Sequence, residues 1–377
     1  MINPLLVEAI KNFPAFNLVM DVTTKVEKIK SFAEEIVTEQ ELVNLFETKD
    51  HPVMYDGFEP SGIAPIHFGL LRAANLKTML ETGVKFKLWM ADYFGFINNK
   101  LGGDLELIQT AGKYFIEVWK ACGIDIDKVE IVWASEAMDS LKYWDRTLKI
   151  AKQVTLNRIK KSVTVLGRKE GDALSFAQLM YPVMQVNDIF ELELDGCQMG
   201  MDQRRANMLA RDVAEKYNWN KPVAIHHPLL LGLKGIQNSQ GSKEEVVAAS
   251  KMSKSDPSSC IYMHETEDSL KEKINKAYCP EKIVEGNPIL DYSKNILFRN
   301  IKELKIERPT KFGGDVVYTT YFELEKDFVE GRLHPMDLKS TVTIELHKLI
   351  EPVRKHFEKN KKAGELYNVV KEAKITR

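Results

Sequence analysis

Pro52-Val53-Met54-Tyr55-Asp56-Gly57-Phe58-Glu59-Pro60-Ser61-Gly62-Ile63-Ala64-Pro65-Ile66-His67-Phe68-Gly69-Leu70-Leu71 begins as an apolar run, breaks at Glu59-Pro60-Ser61-Gly62 and resumes in a helical rhythm. Pro52 to Phe58 reads as a buried strand, and Leu70, Leu71, Ala74, Met79 and Leu80 recur at helix spacing until Gly83 stops them. Strand, tight loop and helix form the repeating unit of a parallel sheet, whose strands need a helical crossover to return in the same direction. Downstream, Phe86 to Ala91 reads as a strand, Asp104 to Cys122 as a helix stopped by Gly123, and Val129 to Ala134 as a strand. The pattern is βαβαβ.

The stretch 139–190 reads as mostly helical, interrupted at Gly167 and Gly171. A short segment around Leu192 to Leu194, a helix from Asp202 to Tyr217 and a strand from Val223 to His226 complete a second half of the sheet, before a polar loop from Leu229 to Ser259. Upstream, residues 24–50 read as two helices. Val26, Ile29, Phe32, Ala33 and Ile36 share one face, and Thr38 with Glu41 forms a capping box before Leu42, Leu45 and Phe46. From Asp268 onward helices dominate without strong strands, punctuated by Pro288, Pro309, Pro335 and Pro352. The expected fold class is α/β: a helical N-terminal segment (1–50), a Rossmann-like parallel-sheet domain (51–262) with a helical insertion at about 110–165, and a mainly α-helical second domain (263–377).

Bulk properties agree with that plan. A chain of 377 residues exceeds the roughly 250 at which single cores usually divide. With 53 Lys+Arg against 54 Asp+Glu the net charge is −1, so no global basic field recruits nucleic acid or an anionic membrane. The tail 351–377 carries 8 Lys/Arg and 4 Asp/Glu, a local excess suited to RNA or to a solvated helix face. No run approaches the roughly 18 apolar residues of a membrane span. Cys122, Cys197, Cys260 and Cys279 lie too far apart for a zinc knuckle or a disulfide framework. The opening residues Met1 to Pro14 lack the long apolar core of a secretory signal, so a reducing cytoplasm is expected.

Two words carry chemistry. Ala249-Ser250-Lys251-Met252-Ser253-Lys254-Ser255-Asp256-Pro257 places two ammonium groups three positions apart in a small polar loop, suited to a triphosphate whose leaving pyrophosphate gains charge in the transition state. His67 and Gly69 stand where the first strand gives way to its helix, the crevice in which open sheets receive nucleotides. Taken singly, the first reads as a surface Lys/Ser loop and the second as a helix cap. Together they favour a nucleotide site.

These words resemble the HIGH and KMSKS signatures of class I aminoacyl-tRNA synthetases, and the surroundings resemble the tyrosyl-tRNA synthetases of the archaeal and eukaryotic cytosolic type. Tyr181-Pro-Val-Met-Gln185-Val-Asn-Asp188 is similar to that family's tyrosine-binding helix, and Gly200-Met-Asp202-Gln203-Arg204 to its ribose and substrate turn. Lys311-Phe312-Gly313-Gly314-Asp315 and Leu333-His334-Pro335-Met336-Asp337-Leu338-Lys339 resemble its anticodon segments. The resemblance spans about residues 52–357.

It implies ATP-dependent ligation of L-tyrosine to tRNA(Tyr) through tyrosyl-adenylate, with His67, Lys251 and Lys254 acting on the transferring phosphate. It implies Tyr55 and Asp188 at the tyrosine hydroxyl, with Tyr181, Gln185, Gln203 and, less closely tied, Glu59 around the α-amino group. It places ATP against Gly57, Ser61, His67, Gly69, Gly200, Asp202, Lys251, Met252 and Lys254, and the anticodon against Phe312, His334 and Asp337. Mg²⁺ is expected with ATP, and no zinc, organic cofactor, membrane or DNA. A cytoplasmic homodimer is implied, meeting through residues 110–165.

Two departures stand out: Leu70 replaces the closing signature histidine and cannot donate to ATP, and Ile63-Ala64-Pro65 lengthens the spacing before His67. Asp202 also reads as an N-cap for the helix that follows. The rival readings are a tryptophanyl-tRNA synthetase, a catalytically silent RNA-binding paralogue and a small-molecule nucleotidyltransferase. The pairing of Tyr55 with Asp188 disfavours the first, because an indole offers one donor and no acceptor.

Overall fold

The computed structural model describes residues 20–162, 174–236, 250–254 and 256–373. Residues 1–19 of the expected N-terminal segment, Gly167, Gly171, the last three residues of the expected insertion, Ala249, Ser255 and residues 374–377 lie outside the described residues, as does the side chain of Phe312. The strands are β1 (Glu35–Val37), β2 (Val53–Phe58), β3 (Lys85–Met90), β4 (Val129–Trp133), β5 (Gly196–Gly200) and β6 (Val223–His227), in sheet order β1-β6-β5-β2-β3-β4. All neighbours are parallel except β1, which runs antiparallel to β6. The strand order reverses beside β2. The carboxyl ends of β2 and β5 therefore open the crevice where ligands of such sheets bind.

The main helices are α1 (Val22–Lys30), α2 (Glu39–Thr48), α3 (Arg72–Glu81), α4 (Asp92–Ile97), α5 (Leu105–Ala121), α6 (Leu141–Ala151), α7 (Leu156–Ser162), α8 (Phe176–Glu191), α9 (Arg204–Tyr217), α10 (Glu267–Lys276), α11 (Tyr321–Val329), α12 (Pro335–Lys359) and α13 (Lys361–Glu372). The expected capping box is formed: the Glu41 N–H donates to Thr38 Oγ1 at 3.2 Å and the Thr38 N–H to Glu41 Oε2 at 3.1 Å. Gly83 (φ 83°) and Gly123 (φ 80°) close α3 and α5 in the left-handed conformation that other residues resist.

Several expectations need correction. Leu192 to Leu194 is not a strand, and the strand lies at Gly196–Gly200. Its two terminal glycines weaken any strand signal, yet a Cβ at Gly196 would meet Val223 O at 3.1 Å, and one at Gly200 would meet Asp202 Oδ1 at 2.7 Å. Ile36 belongs to β1, not to a helix face: Glu35 takes two hydrogen bonds from the Arg204 guanidinium and lies 2.9 Å from His226 Nδ1, which fixes that edge. The N-terminal segment is thus part of the sheet. Residues 110–121 lie in α5 and Val129–Trp133 is β4, so the stretch expected as a helical insertion from about residue 110 includes a strand of the sheet. Gln203 precedes α9 without a side-chain cap, and Asp202 lies in a preceding 3₁₀ turn. The second domain contains an antiparallel ribbon, β7 (Leu304–Ile306) with β8 (Val316–Tyr318).

Helices cover both faces of the sheet. One apolar cluster holds Phe58, Trp119, Met263, Ile274, Leu346 and Phe357, so the core runs unbroken past the boundary expected near residue 262. The other holds Tyr55, Trp89, Phe94, Tyr143, Tyr181 and Leu209, and its polar edges form one side of the site.

Candidate active site

The turn before α3, the residues after β5 and the end of β6 border an open cleft of about 390 Å³, lined by His67, Arg72, Asp202, His227, Lys251 and Met252 among others. His67 begins a π-helical turn, His67–Leu71, that feeds into α3. Its Nδ1 is buried without a partner. Burial, then the charges of Arg72, Lys254 and Lys251, hold the imidazole down to about 3, so it enters neutral chemistry as a neutral donor and acceptor. The added Ile63-Ala64-Pro65 is absorbed by pairing: Pro65 bridges Tyr262, and the Ile66 N–H donates to Ile261 O at 2.9 Å.

Lys251 Nζ donates to Asp202 Oδ2 at 2.8 Å, while Asp202 Oδ1 is buried without a partner. Burial alone would raise the carboxyl, but the Lys251 charge and hydrogen bond outweigh it and bring it to about 2. Lys254 Nζ lies 3.1 Å from Ser61 Oγ, and 5.0 Å above the Phe115 ring. Desolvation pulls its ammonium down to about 7. The intervening Met252 is buried and its N–H donates to Leu230 O at 2.7 Å, so it anchors the loop that carries both lysines.

Two of the glycines proposed for nucleotide contact are constrained by the protein itself. A Cβ at Gly69 would come within 2.3 Å of Met263 Sδ, so the room it leaves is filled by that thioether and not by the cleft. A Cβ at Gly57 would lie 3.3 Å from Trp89 Cδ1.

On the other side of β2, α8 turns Tyr181, Gln185 and Asp188 along one buried face. Tyr143 of α6 donates its hydroxyl to Asp188 Oδ1 at 2.7 Å. Burial drives the Asp188 carboxyl well above its ordinary range, opposed by that hydrogen bond. The Tyr55 hydroxyl is buried without a partner, within electrostatic reach of Asp188. Tyr181 donates to Glu59 Oε1 at 2.5 Å, and the Asn98 amide donates to both Glu59 oxygens, at 3.3 and 3.1 Å. Gln185 Nε2 donates to Gln203 Oε1 at 2.9 Å, leaving Gln185 Oε1 buried without a partner. The structure thus gathers Tyr55, Glu59, Tyr181, Gln185, Asp188 and Gln203 on one side, and His67, Ser61, Asp202, Lys251 and Lys254 on the other.

Sequence reading missed Tyr143, Arg72 and His227. Tyr143 sits in an insertion helix with no motif around it. Arg72, two positions beyond the resembling signature, pairs with buried Asp56 at 3.3 Å. His227 Nδ1 meets the Gln198 amide at 2.7 Å, which turns the other ring nitrogen toward the cleft.

The third expected group lies in the second domain. Thr310–Phe312 is a 3₁₀ turn. His334 caps α12, its Nδ1 accepting from the Met336 N–H at 3.1 Å, and Asp337 stands in the helix's first turn. Arg308 joins the two segments through Gly314 O at 2.6 Å and Arg332 O at 2.5 Å.

The family model described as tRNA synthetases class I (W and Y) matches residues 47–351. Tyrosine–tRNA ligase 1, cytoplasmic, of Arabidopsis thaliana is 42% identical over 373 residues, covering 98% of this chain and 94% of the relative. The tyrosine–tRNA ligase of Thermococcus kodakarensis is 44% identical, covering 95% of this chain and all of the relative. The solved tyrosyl-tRNA synthetase of Pyrococcus horikoshii, complexed with L-tyrosine, superposes with a TM-score of 0.86 at 40% identity, covering 93% of this chain and all of that one.

With its sheet, switch-point cleft and paired lysines in place, the chain belongs to the class I tRNA synthetases for tryptophan and tyrosine. Within them it groups with the tyrosine–tRNA ligases of archaea and the eukaryotic cytosol, and tyrosine–tRNA ligation, driven by ATP, is its activity. Among the described residues no helix is long and apolar enough to cross a membrane.

The buried Lys254 gives a pH signature. An amine lowered to about 7 is charged below that pH and neutral above it, so a role for Lys254 at the triphosphate predicts that nucleotide capture weakens as pH rises through about 7. Measured as kcat/KM for ATP in pyrophosphate exchange, the parent falls on the alkaline side while Lys254→Arg, always charged, does not. A parent profile flat between about pH 6 and 9 would contradict this.

Proposed function

We propose that the pocket bounded by β2, β3 and α8 takes the ring of L-tyrosine and reads its hydroxyl. The observation that carries this reading is the buried Tyr55 hydroxyl, unpartnered among the described residues, beside a buried Asp188 carboxyl group already held at one oxygen by Tyr143. A phenol satisfies both neighbours, donating to Asp188 and accepting from Tyr55. A bare phenyl ring leaves both unpaired, and an indole meets only one. Tyr181, Gln185 and Gln203 then receive the α-amino group, with Glu59 acting through Tyr181.

ATP lies across the cleft, its triphosphate beside His67, Ser61, Lys251 and Lys254, and Mg²⁺ enters with it as part of the nucleotide substrate. The ribose hydroxyls donate to Asp202, beside Gly200, as Lys251 exchanges that carboxylate for phosphate. Gly57, Gly69 and Met252 support the site through packing. The tyrosine carboxylate attacks the α-phosphorus, the bond to the β-phosphate bridge oxygen breaks, and its electron pair leaves with pyrophosphate. The two lysines act on that developing charge. The adenylate then passes its acyl group to the terminal adenosine of tRNA.

Residues 263–377 form the anticodon-binding part, with His334 and Asp337 at the base edges and Phe312 stacking on a base. The enzyme works in the cytoplasm, in keeping with the printed name of its Arabidopsis relative. It acts as a homodimer through the insertion. There α6 exposes Leu141, Trp144 and Leu148 on one side, the last two one helical turn apart and 40% and 65% exposed. Sedimentation at micromolar concentration is expected to give twice the 43.1 kDa chain mass, and a species at 43.1 kDa would overturn the dimer.

Pyrophosphate exchange tests the residue roles. Asp188→Ala and Tyr143→Phe are expected to erode the tyrosine-over-phenylalanine ratio of kcat/KM by at least about tenfold. Asp337→Ala leaves exchange intact and slows charging of tRNA. An unaltered ratio in Asp188→Ala would remove it from the hydroxyl pocket.

A further inference from the structure

The last helix, α13, does not simply trail from the second domain. It packs along α5 of the sheet domain, and its Tyr367 ring lies over the His264 imidazole, with centroids 3.8 Å apart and planes at 16°. His264 Nε2 lies 2.9 Å from the Tyr114 hydroxyl, and that hydroxyl accepts from the Ala64 N–H at 3.2 Å. Burial, with Arg354 and Lys371 nearby, holds His264 down to about 3. The imidazole is therefore neutral, and with its proton on Nδ1 the Nε2 accepts a hydrogen bond from the Tyr114 hydroxyl. The chain of contacts has one direction: ring stack, hydroxyl donor, backbone amide.

Ala64 lies between Ser61 and His67, the loop that faces the triphosphate. His264 closes the segment 261–264, which is itself laced to that loop: the Ile66 N–H donates to Ile261 O, the Met263 N–H donates to Ala64 O, both at 2.9 Å, and Met263 fills the space over Gly69. This segment follows the loop of Lys251 and Lys254 by a few residues. A second set of contacts fastens the same region to the end of α12. Arg354 donates to Glu265 O at 3.2 Å, His356 Nε2 lies 2.8 Å from Glu117, and Phe357 packs edge-on against His264 at 4.9 Å.

We propose that α13 is a brace for the nucleotide loop, with Tyr367 and His264 as positioning residues that hold segment 261–264 against residues 61–69. The buried amide of Ala64 has its hydrogen bond only when Tyr114 is oriented by His264, and His264 keeps its place through the Tyr367 stack. None of these side chains faces the tyrosine pocket, so loosening the brace weakens ATP capture and leaves tyrosine capture alone. The α12 helix that supplies Arg354, His356 and Phe357 starts at Pro335, about 30 Å before them at 1.5 Å per residue, so one helix, with Pro352 in its last turns, joins the proposed anticodon end to the nucleotide loop.

The inference rests on the placing of ATP beside His67 and Ser61. In full-length protein, Tyr367→Ala is expected to raise KM for ATP in pyrophosphate exchange by about three- to tenfold with KM for tyrosine changed less than about twofold. Tyr367→Phe keeps the stack and restores the parent value. Tyr367→Leu, which keeps apolar bulk without a ring, guards against general loss of the fold and is expected to share the ATP defect. An unchanged KM for ATP in both Ala and Leu variants, or KM values for ATP and tyrosine rising together, would overturn the brace. His67→Ala serves as the control. A large loss there with unaffected Tyr367 variants sinks the brace alone, whereas a silent His67→Ala sinks the nucleotide placement and the brace with it.

Discussion

A carboxyl group buried away from any cation is costly to ionise, and burial drives Asp188 well above its ordinary range against the opposing hydrogen bond from Tyr143. Much of the surrounding architecture reads as provision for it. Tyr143 donates to one oxygen, and α6 is held against α8 for that purpose by the Asn187 amide on Tyr143 O at 2.9 Å and by Arg146 on Glu191 at 2.6 Å. β2 brings up Tyr55 with a hydroxyl that has no protein partner. On the proposed reading, selection of a phenol follows from the requirement that these two polar groups be satisfied at once.

The same strand divides the labour of the site. β2 sits where the sheet reverses its order, so the residues after Phe58 reach both sides: Glu59 accepts from Tyr181 on the side proposed for the amino acid, while Ser61 and His67 lie with Lys254 on the side proposed for the nucleotide. Charge is distributed to match. On the proposed amino-acid side amides and hydroxyls surround the carboxyl groups, with Lys100 3.6 Å from Glu59, and the proposed nucleotide side holds Arg72, Lys251 and Lys254 around a histidine kept neutral. Lysine 251 is paired with Asp202 before any phosphate arrives, which spares a half-buried cation from isolation.

The parallel fold was legible because its signals are local: apolar strands, helix periodicity, Thr38 with Glu41, and glycines at helix ends. Tyr181, Gln185 and Asp188 were legible as one helix face, and the two lysines as a word. What escaped depends on tertiary packing. β5 is spelled with glycines because Val223, Met54 and Asp202 crowd its backbone, so its propensity points away from strand. β1 is three residues long and exists through its partners on β6 and α9. Tyr143 lies 45 positions from Asp188. Gly69, read as leaving room for a nucleotide, leaves room for Met263.

Amino-acid-dependent ATP–pyrophosphate exchange, run on the parent protein with each of the twenty standard amino acids, tests the central claim most directly. A pocket that must satisfy Tyr55 and Asp188 together is expected to support exchange with tyrosine and to disfavour phenylalanine and tryptophan by at least about a hundredfold in kcat/KM. Exchange with either of those two at a rate comparable to that with tyrosine would contradict it.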